Sequence, residues 1–412
     1  MPSDNYTVDK STKKWYNLKE NNQSIGVSFI KVLITTDLFT TKTNGVVTST
    51  HNLIYELERR GHEVRVITFA KGKKSYKEGN TYYIKSISLE WVYPDIRMPS
   101  SMAGKFVKEI VEWKPDVIHS QCEYFSYGFA RRIAKKTGAP IVHTYHTLYE
   151  DYVGYAIPFK RIGRWAVRNY ISRTRIRQAG AVIAPTEKVK DYLLDICKIK
   201  NEIAVIPSGI CLKKHRIDFT DEDRRSGRAK YGFTDEHFVF INLGRLGTEK
   251  NLEEVISYFA KISAKHENAR LLIVGGGPAL EGLEALVGEL EITDKVVFAG
   301  MVDPDEVARY YRLGDLFVCA STSETQGLTY IEATANGLPL LCHNDSCIDG
   351  VVVDGENAFR YENFEEYEKH AEFIMSDAEW LKHAKETSFK ISGKFDRTVF
   401  GDSVERLYNE LI

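Results

Sequence analysis

The sequence predicts an α/β protein with two doubly wound domains that face each other across a cleft. Three observations support this fold class. From residue 28 onward, short β-branched segments alternate with longer helical ones, the pattern of right-handed crossovers on a parallel sheet. The alternation stops at Pro207-Ser-Gly-Ile210 and a charged stretch over 213–230, and then begins again. The 412 residues exceed what one core usually organises, so two domains of roughly 200 residues are expected.

The first domain is predicted over 28–207, after a polar N-terminal extension over 1–27. Its first helix is expected to end at Gly61, because glycine readily adopts the left-handed conformation that follows a helix C-terminus. Strands are predicted over 29–37, 63–69, 116–119, 141–146, 181–185 and 203–207, and helices over 49–60, 127–136 and 187–196.

The second domain is predicted over 208–393, where the same alternation recurs after the charged stretch. Two such domains leave a cleft between their facing carboxyl edges. Strands are predicted over 238–243, 270–275, 295–299, 316–320 and 338–343, and helices over 252–265, 279–290, 304–312, 328–336, 364–375, 378–392 and 398–411.

The composition excludes several classes of protein. The chain has 56 basic and 57 acidic residues, so its net charge gives no general attraction to nucleic acid. The N-terminal extension lacks the apolar core of a signal peptide, and no stretch reaches the ~18 apolar residues of a membrane-spanning helix. The six cysteines form no C-x-x-C pair and are expected to be reduced thiols. These features predict a cytoplasmic protein.

Two glutamates, Glu324 and Glu332, mark the candidate site. They are separated by seven residues, follow the strand-like run over 316–320, and have Gly327 between them. This places Glu324 in a turn at the carboxyl end of a strand and Glu332 in the next helix, where open α/β sheets bind ligands. A carboxylate repels phosphate, so the pair indicates a neutral polyol, with any phosphate at the positive end of the helix. A nucleotide sugar contains both parts.

Three glycine-containing turns are candidates for phosphate binding. Gly45 and Gly275 each follow a strand and precede a helix. Arg245 and Lys250 lie in another such turn, where a planar guanidinium and a compact ammonium can clamp a diphosphate. No turn is a G-x-G-x-x-G or G-x-x-x-x-G-K-[ST] loop, so NAD and ATP are not indicated. Each turn alone is also explained as an ordinary loop, and their coincidence with the two glutamates favours a site.

The chain resembles the GT-B glycosyltransferases and, within them, glycosyltransferase family 4, the large retaining family whose signature is two glutamates separated by seven residues. The resemblance runs from about residue 29 to the C-terminus, and its elements occur in the family's order. It implies two Rossmann-like domains, the acceptor domain first and the donor domain second, and a last helix in 394–412 that crosses back to the first domain. The matching elements are Asn44-Gly45-Val46, Gly61-His62-Glu63-Val64, Lys114-Pro115-Asp116-Val117-Ile118-His119, Gly244-Arg245 with Glu249-Lys250-Asn251, the turn at Gly275, and Glu324 to Glu332.

The resemblance implies a UDP-sugar as co-substrate and gives roles to individual residues. Glu332 would hold the ribose hydroxyls, Arg245 and Lys250 the diphosphate, and Glu324 the sugar hydroxyls near the reacting carbon. The implied donor-binding set is completed by Gly45, Gly275, Gly327 and Leu328.

The resemblance also implies that His146 lies beside the donor sugar and the incoming hydroxyl, as the second catalytic residue with Glu324. His143 is its rival on the same run. Alternation along a strand puts the two histidines on opposite faces, and His146 lies nearer the carboxyl end, where ligands bind. We therefore favour His146.

Neither a metal nor another cofactor is expected. Cationic side chains and helix N-termini can stabilise a leaving diphosphate without a metal ion. Two Asp-x-Asp patterns occur, Asp221-Glu-Asp223 and Asp303-Pro-Asp305, and they are explained by a charged linker and by a helix N-cap followed by proline. The sequence therefore predicts metal-independent transfer.

A basic, aromatic segment is the candidate for contact with a membrane and the acceptor. Residues 152–186 contain no acidic side chain. Arg161, Arg164 and Arg168 lie near one face of a predicted helix, with Lys160 and Trp165 beside them in the sequence. Such a face binds anionic lipid, each cation contributing about 1 kcal/mol near the surface. A basic surface helix with Trp165 packed inward is the alternative.

Within the family, residues 143–153 resemble those of bacterial diacylglycerol glucosyltransferases. This implies transfer of glucose from UDP-glucose to diacylglycerol by a peripheral enzyme at the inner face of the cell membrane. The chain departs from that subgroup at Gly154-Tyr155, where a histidine usually precedes the tyrosine, and in its N-terminal extension. The alternatives are a soluble glycan, polymer or small molecule as acceptor, and a nucleotide-sugar epimerase. Nucleic-acid binding is not indicated, because no recognition module accompanies the basic segment.

Overall fold

A computed structural model describes residues 29–39, 45–72, 74–89, 96–148 and 176–412. These residues form two α/β halves, each built on its own sheet, and the predicted fold class is confirmed. The strands of the first sheet lie within residues 31–205, and those of the second sheet lie within residues 238–361.

The first sheet has nine strands within the described residues. They are β1 (Lys31–Thr35), β2 (Glu63–Ala70), β3 (Tyr76–Glu78), β4 (Thr81–Ser88), β5 (Arg97–Pro99), β6 (Val117–Ser120), β7 (Ile141–Thr144), β8 (Ala181–Ala184) and β9 (Glu202–Val205). Their order is β3-β4-β2-β1-β6-β7-β8-β9, and β5 pairs with β4. All pairs are parallel except those that β3 and β5 make with β4. The helices of this half are α1 (Gly45–Arg59), α2 (Gly104–Trp113), α3 (Phe125–Thr137) and α4 (Glu187–Asp191), with a 3₁₀ turn at Ile176–Gln178 and a π-helical turn at Tyr192–Ile196.

Among the described residues the second sheet has six strands, all parallel. They are β10 (Phe238–Leu243), β11 (Ala269–Val274), β12 (Val296–Gly300), β13 (Leu316–Cys319), β14 (Leu340–His343) and β15 (Ala358–Tyr361), in the order β12-β11-β10-β13-β14-β15. The helices are α5 (Leu212–His215), α6 (Asp221–Ala229), α7 (Leu252–Lys265), α8 (Leu280–Glu289), α9 (Val307–Tyr311), α10 (Leu328–Ala335), α11 (Phe364–Ser376), α12 (Ala378–Ser392) and α13 (Arg397–Leu411), with 3₁₀ turns at Thr248–Lys250, Ser346–Ile348 and Gly393–Phe395.

Both sheets are covered on both faces, which explains why their central strands are nearly continuous apolar runs. In β1, Leu33 packs in the core on one face, and Val32 and Ile34 pack in the core on the other. In β10, Phe240 and Ile241 likewise belong to cores on opposite faces. All five side chains are fully buried.

Each sheet has one place where its strand order reverses. In the first sheet β1 lies between β2 and β6, and in the second β10 lies between β11 and β13. Crossovers leave such a point toward opposite faces, so a crevice opens at the carboxyl ends of the two central strands. The loops after β1, β6, β10 and β13 therefore border the expected ligand site.

The last helix, α13, returns to the first half. Its Phe400 and Val404 are buried in one of the two cores of the first sheet. The chain passes between the halves at two adjacent points: the Ile210 N–H donates to the Phe395 carbonyl at 2.8 Å, and the Arg397 N–H donates to the Ile210 carbonyl at 2.9 Å. The predicted domain limits at 207/208 and 393/394 stay predictions.

The structure adds strands that the sequence patterns do not predict. β3, β5 and β15 have three or four residues each and lie at sheet edges, where few buried residues mark a strand. β4 does show the alternation of a strand, with Tyr82 and Ile84 buried, and it is the long strand missing from the prediction. Helix α1 begins at Gly45, four residues before its predicted start at residue 49.

Candidate active site

A cleft of about 1100 Å³ lies between the two halves, at the carboxyl ends of the strands. It is bordered by the loops that follow β1, β6, β10 and β13, which are the loops at the two points of strand-order reversal. Sites for one small molecule usually measure roughly 300–1000 Å³. The cleft is therefore slightly larger than the usual site for one small molecule.

Glu324 lines this cleft from the loop between β13 and α10. The loop ends at Gly327, whose φ of 68° is left-handed and whose Cβ, if present, would overlap the ring of Tyr330. Glycine is therefore required where the chain turns into α10. The Glu324 carboxylate pairs with Lys250 and accepts a hydrogen bond from Ser321 Oγ at 3.4 Å.

Glu332 lies one turn into α10 and lines the same cleft. Tyr311 Oη donates a hydrogen bond to Glu332 Oε2 at 3.0 Å. Burial raises the pKa of Glu332 to about 7, and the hydrogen bond from Tyr311 acts in the opposite direction. The structure thus brings the two glutamates into one cavity, where Glu324 faces a cation and Glu332 faces a neutral hydroxyl.

Arg245 and Lys250 also line the cleft, and each lies beside a carboxylate. Arg245 Nη1 is 3.0 Å from Glu249 Oε1, and Lys250 pairs with Glu324. The Glu249 side chain is 5% exposed. Sequence reasoning did not assign this residue, although its four-residue spacing from Arg245 is a typical signal for an ion pair. Both predicted cations therefore form ion pairs with carboxylates of the site itself.

Glycine turns bring neighbouring backbone segments together around the cleft. Gly275 follows β11 with a φ of 135°, and a Cβ there would overlap the carbonyl oxygen of Gly244, which follows β10. Gly275 therefore lets two strand ends meet, a reason for glycine besides contact with a ligand. On the other side of the cleft, a Cβ on Gly45 would stand 3.6 Å from Leu328 Cδ1. Gly45 and Leu328 thus face each other from opposite halves.

His146 lines the cleft from the first half, whereas His143 lies beneath the surface. His146 Nε2 is 2.7 Å from Gln121 Oε1, so Nε2 carries the proton and Nδ1 is left as an acceptor. Burial, with a smaller contribution from His143, lowers the pKa of His146 to about 3. His143 Nε2 lies 3.1 Å from Glu123 Oε1 and is fully buried. The role given to His146 stays a prediction.

Asp37, directly after β1, is a cleft residue that sequence reasoning did not single out. It accepts hydrogen bonds from Ser126 Oγ at 2.7 Å and from the Phe125 N–H at 3.1 Å, so it caps the N-terminus of α3. Burial raises its pKa to about 6. An acidic residue at the end of the first strand was the available signal.

The first-half wall of the cleft is mostly apolar. Phe39 stacks on His51 with ring centroids 4.6 Å apart. Ile96 and Leu148 adjoin the segments 90–95 and 149–175, which lie outside the described residues. The apolar and aromatic residues of this wall include Leu38, Phe39, Val46, Val47, Ile96, Tyr124, Leu148 and Pro185.

The predicted membrane and acceptor residues lie outside the described residues. So does the segment 40–44 that precedes Gly45. In the part of the chain that the structure does describe, no helix is both long and apolar enough to cross a membrane. The residues concerned are Lys160, Arg161, Arg164, Trp165 and Arg168.

Among the described residues, no three His, Cys, Asp or Glu side chains are grouped so as to hold a metal ion. Asp223 forms a capping box with Thr220 at the start of α6, through hydrogen bonds of 2.9 and 3.1 Å. Asp303 accepts the Asp305 N–H at 3.0 Å, and α9 begins only at Val307, so the predicted N-cap at Asp303 is wrong. The local turn satisfies Asp303 before the helix begins. Metal-independent transfer stays a prediction.

Two Rossmann-like halves with a cleft between them are the fold of the GT-B glycosyltransferases. Residues 43–214 match the family description "Glycosyltransferase Family 4", and residues 223–390 match "Glycosyl transferases group 1". The chain belongs to glycosyltransferase family 4, a retaining family, and is a glycosyltransferase.

Two relatives are similar over most of their length. The chain is 35% identical to the alpha-monoglucosyldiacylglycerol synthase of Streptococcus pneumoniae over 79% of this chain and 74% of that protein. It is 32% identical to the alpha-monoglucosyldiacylglycerol synthase of Acholeplasma laidlawii over 90% of this chain and 94% of that protein.

Solved structures share the fold at lower identity. Anabaena HepE, in complex with UDP and glucose, matches with a TM-score of 0.72 and 16% identity over 93% of this chain and 100% of that chain. The sucrose-phosphate synthase of Thermosynechococcus elongatus matches with a TM-score of 0.73 and 20% identity over 93% of this chain and 99% of that chain.

Proposed function

We propose that this protein transfers glucose from UDP-glucose to the free hydroxyl of 1,2-diacylglycerol, at the cytoplasmic face of a membrane. The observation that carries the proposal is the similarity, over 79% and 90% of the chain, to two alpha-monoglucosyldiacylglycerol synthases. The complex of HepE with UDP and glucose supports a UDP-sugar as donor.

The two glutamates and the two cations are proposed to bind different parts of the donor. Glu332 holds the ribose, because a carboxylate can accept hydrogen bonds from two adjacent hydroxyls. Glu324 holds hydroxyls of the hexose near its reacting carbon. Arg245 and Lys250 hold the diphosphate, which lies between the two sugars of the donor.

The start of α10 is proposed to assist these cations. Its first N–H groups have no partner within the helix, and the helix dipole makes this end positive. Gly327 and Leu328 form this end and line the cleft. Gly45 and Gly275 leave room for the donor on either side of it.

Binding of the diphosphate is proposed to exchange the partners of both cations. Glu249 and Glu324 pair with Arg245 and Lys250, and a diphosphate that carries two negative charges competes for the same cations. Glu324 is then able to turn to the sugar. Lys250, once bound to the diphosphate, is also proposed to stabilise the charge that develops on the leaving UDP.

His146 is proposed to contact a hydroxyl beside the reacting carbon. With a pKa of about 3, its ring is neutral at physiological pH. The Nε2 proton is directed to Gln121, so Nδ1 can accept a hydrogen bond. A neutral acceptor suits a hydroxyl group and gives no attraction to phosphate.

The apolar first-half wall supports a lipid acceptor. Diacylglycerol presents one uncharged hydroxyl on a hydrocarbon body, and a wall of Leu38, Phe39, Ile96 and Leu148 matches that body. The basic segment that contains Arg161, outside the described residues, is proposed to hold the enzyme against anionic lipid.

One assay with lipid vesicles tests the function. The protein is incubated with UDP-glucose and vesicles that contain diacylglycerol, with and without anionic lipid and with and without EDTA. We expect α-glucosyl-diacylglycerol by mass and NMR, UDP release that depends on diacylglycerol, no effect of EDTA, and sedimentation with the anionic vesicles. UDP release without diacylglycerol that yields a new nucleotide sugar would instead identify an epimerase. Transfer to soluble sugars in preference to the lipid would refute the proposed acceptor.

Affinity for UDP-glucose is expected to rise between about pH 6 and pH 8. Glu332 has a pKa of about 7, and its ionised form accepts more hydrogen bonds from ribose than its protonated form. Binding therefore favours the ionised form, and below the pKa the affinity falls by up to about tenfold per pH unit. His215, in the same cleft, has a pKa lowered to about 4 by burial and stays neutral in this range. The diphosphate diester stays fully ionised.

Calorimetric titration with UDP-glucose at several pH values measures this effect. Glu332→Gln is the matched control, which should bind weakly at every pH. A wild-type affinity that does not change with pH would contradict the assignment of Glu332 to the ribose.

A further inference from the structure

The loop that carries Glu324 is bonded to the first half of the protein as well as to its own half. Thr186 Oγ1 donates to the Thr325 carbonyl at 2.7 Å. Thr325 Oγ1 donates in turn to the His146 carbonyl at 2.8 Å. The residue next to Glu324 is therefore tied to the two first-half segments that follow β7 and β8.

Lys188, on α4 of the first half, makes the most extensive contact with this loop. Its Nζ donates to the Thr322 carbonyl at 3.0 Å and to the Glu324 carbonyl at 3.2 Å. The same Nζ is 2.8 and 2.6 Å from the two carboxylate oxygens of Asp345. One ammonium thus binds three groups of the second half, and two of them are backbone carbonyls on either side of residue 323.

Lys188 lies in a short helical turn and Asp345 at the start of another, and each turn is capped by a side chain. Thr186 caps α4 by accepting the Val189 N–H at 3.4 Å, and Asp345 accepts the Cys347 N–H at 2.7 Å at the start of a 3₁₀ turn. The side chain of Lys188 is 19% exposed and that of Asp345 is 9% exposed. A pair with this burial and two carboxylate contacts is less screened than a surface pair.

The far end of the loop is anchored to the segment that joins the halves. Gln326 Oε1 accepts the Ser208 N–H at 2.9 Å, and Gln326 Nε2 donates to the Ser208 carbonyl at 2.9 Å. The loop is therefore held at Thr322, Glu324, Thr325 and Gln326 by residues outside the second sheet. Its conformation depends on how the two halves are placed.

We propose that Lys188 is a positioning residue that sets the backbone of Glu324 from the acceptor half. The inference rests on the proposed function, in which Glu324 contacts the donor sugar. Because Lys188 bonds to the carbonyl of Glu324 itself, Glu324 reaches its working position only when the two halves are closed on each other. Closure around the acceptor is thereby coupled to the orientation of the sugar, and hydrolysis of the donor is suppressed while the halves are apart.

Lys188→Met tests the proposal, with Lys190→Met as its matched control. Methionine keeps the unbranched stem and removes the ammonium. Lys190 lies on the same helix and pairs with Glu187 at 2.9 Å, within its own turn. Lys188→Arg retains a cation that can reach Asp345 and the carbonyls, so it is expected to recover most of the lost rate.

The first measurement needs no substrate. Hydrogen–deuterium exchange of the full chain, followed by mass spectrometry, reports on peptides that cover residues 321–327. We expect faster exchange concentrated in this segment for Lys188→Met and wild-type exchange for Lys190→Met. Unchanged exchange in Lys188→Met overturns the proposal, whatever the activity of the wild-type protein is.

The second measurement uses UDP-glucose, UDP and diacylglycerol vesicles. A displaced catalytic group costs on the order of 10–100-fold in kcat, so Lys188→Met is expected to lose transfer by this factor. Its Kd for UDP should not change, and the share of UDP-glucose that is hydrolysed should rise. An equal loss in Lys190→Met, or a parallel loss of UDP affinity, overturns the proposal. Failure of the wild-type protein to glucosylate diacylglycerol removes the proposed function, and the exchange measurement then decides on Lys188.

Discussion

Glu324→Gln is expected to lower kcat for glucose transfer by on the order of 10²–10³-fold without weakening the binding of UDP. The loss arises because a carboxylate stabilises the positive charge that develops at the reacting carbon, and a neutral amide of the same shape does not. UDP has no hexose, so it makes no contact with Glu324. In this variant the charged partner that competes with the diphosphate for Lys250 is gone. The Kd for UDP should therefore stay the same or fall.

Initial rates of glucolipid formation and calorimetric titration with UDP measure the two effects. Glu253→Gln is the matched control, because Glu253 is exposed in the first turn of α7, three residues after Lys250. The control should keep the wild-type rate. If transfer and UDP affinity decline together in Glu324→Gln, the carboxylate supports the shape of the site, and its assignment to the sugar is wrong.

The convergence of the site residues was predictable because it follows from topology. Glu324, Glu332, Arg245 and Lys250 were placed by their position just after strands, and parallel strands bring such positions to one edge. The order β12-β11-β10-β13-β14-β15 then puts the loops of Arg245 and Glu324 side by side. The sequence spacing of the two glutamates was therefore sufficient to predict that both line the same cleft.

The pairing within the site was not predictable from the same pattern. Whether Arg245 faces a ligand or Glu249 depends on side-chain conformations in a short 3₁₀ turn. The hydrogen bond between His146 and Gln121 joins residues that follow neighbouring strands, and strand register decides it. The charge of a residue and its position after a strand predict that it lies at the cleft. Its hydrogen-bond and ion-pair partners depend on how the side chains pack.

The contacts between the halves were the hardest to foresee. Lys188 and Lys190 both lie in the helix predicted over 187–196, and the difference between them appears only when α4 is placed against Asp345. That contact depends on the relative placement of two separate sheets, for which no local pattern gives a signal. Sequence reasoning therefore identified residues that line the cleft and not the contacts that connect its walls.

Lys250→Met is expected to weaken both donor binding and the chemical step, which distinguishes it from Glu324→Gln. A hydrogen bond to a charged group contributes about 1.5–3 kcal/mol, so the Kd for UDP-glucose should rise by roughly 10–100-fold. The leaving diphosphate also loses a charge that stabilises it as the bond breaks, so kcat should fall by a further factor on the order of 10²-fold. Lys265→Met, which removes a surface ion pair between the end of α7 and Glu368, should change neither quantity.

The double variant Lys250→Met with Glu324→Gln separates two roles that a single variant leaves mixed. If Lys250 acts only by holding Glu324, the double variant should be no slower than Glu324→Gln alone and should bind UDP equally well. If Lys250 holds the diphosphate, the double variant should keep the weakened UDP binding of Lys250→Met and add the rate loss of Glu324→Gln. We expect the second result, because Lys250 lines the cleft and is proposed to bind the diphosphate directly. The first result would leave Arg245 and the start of α10 as the groups that hold the diphosphate.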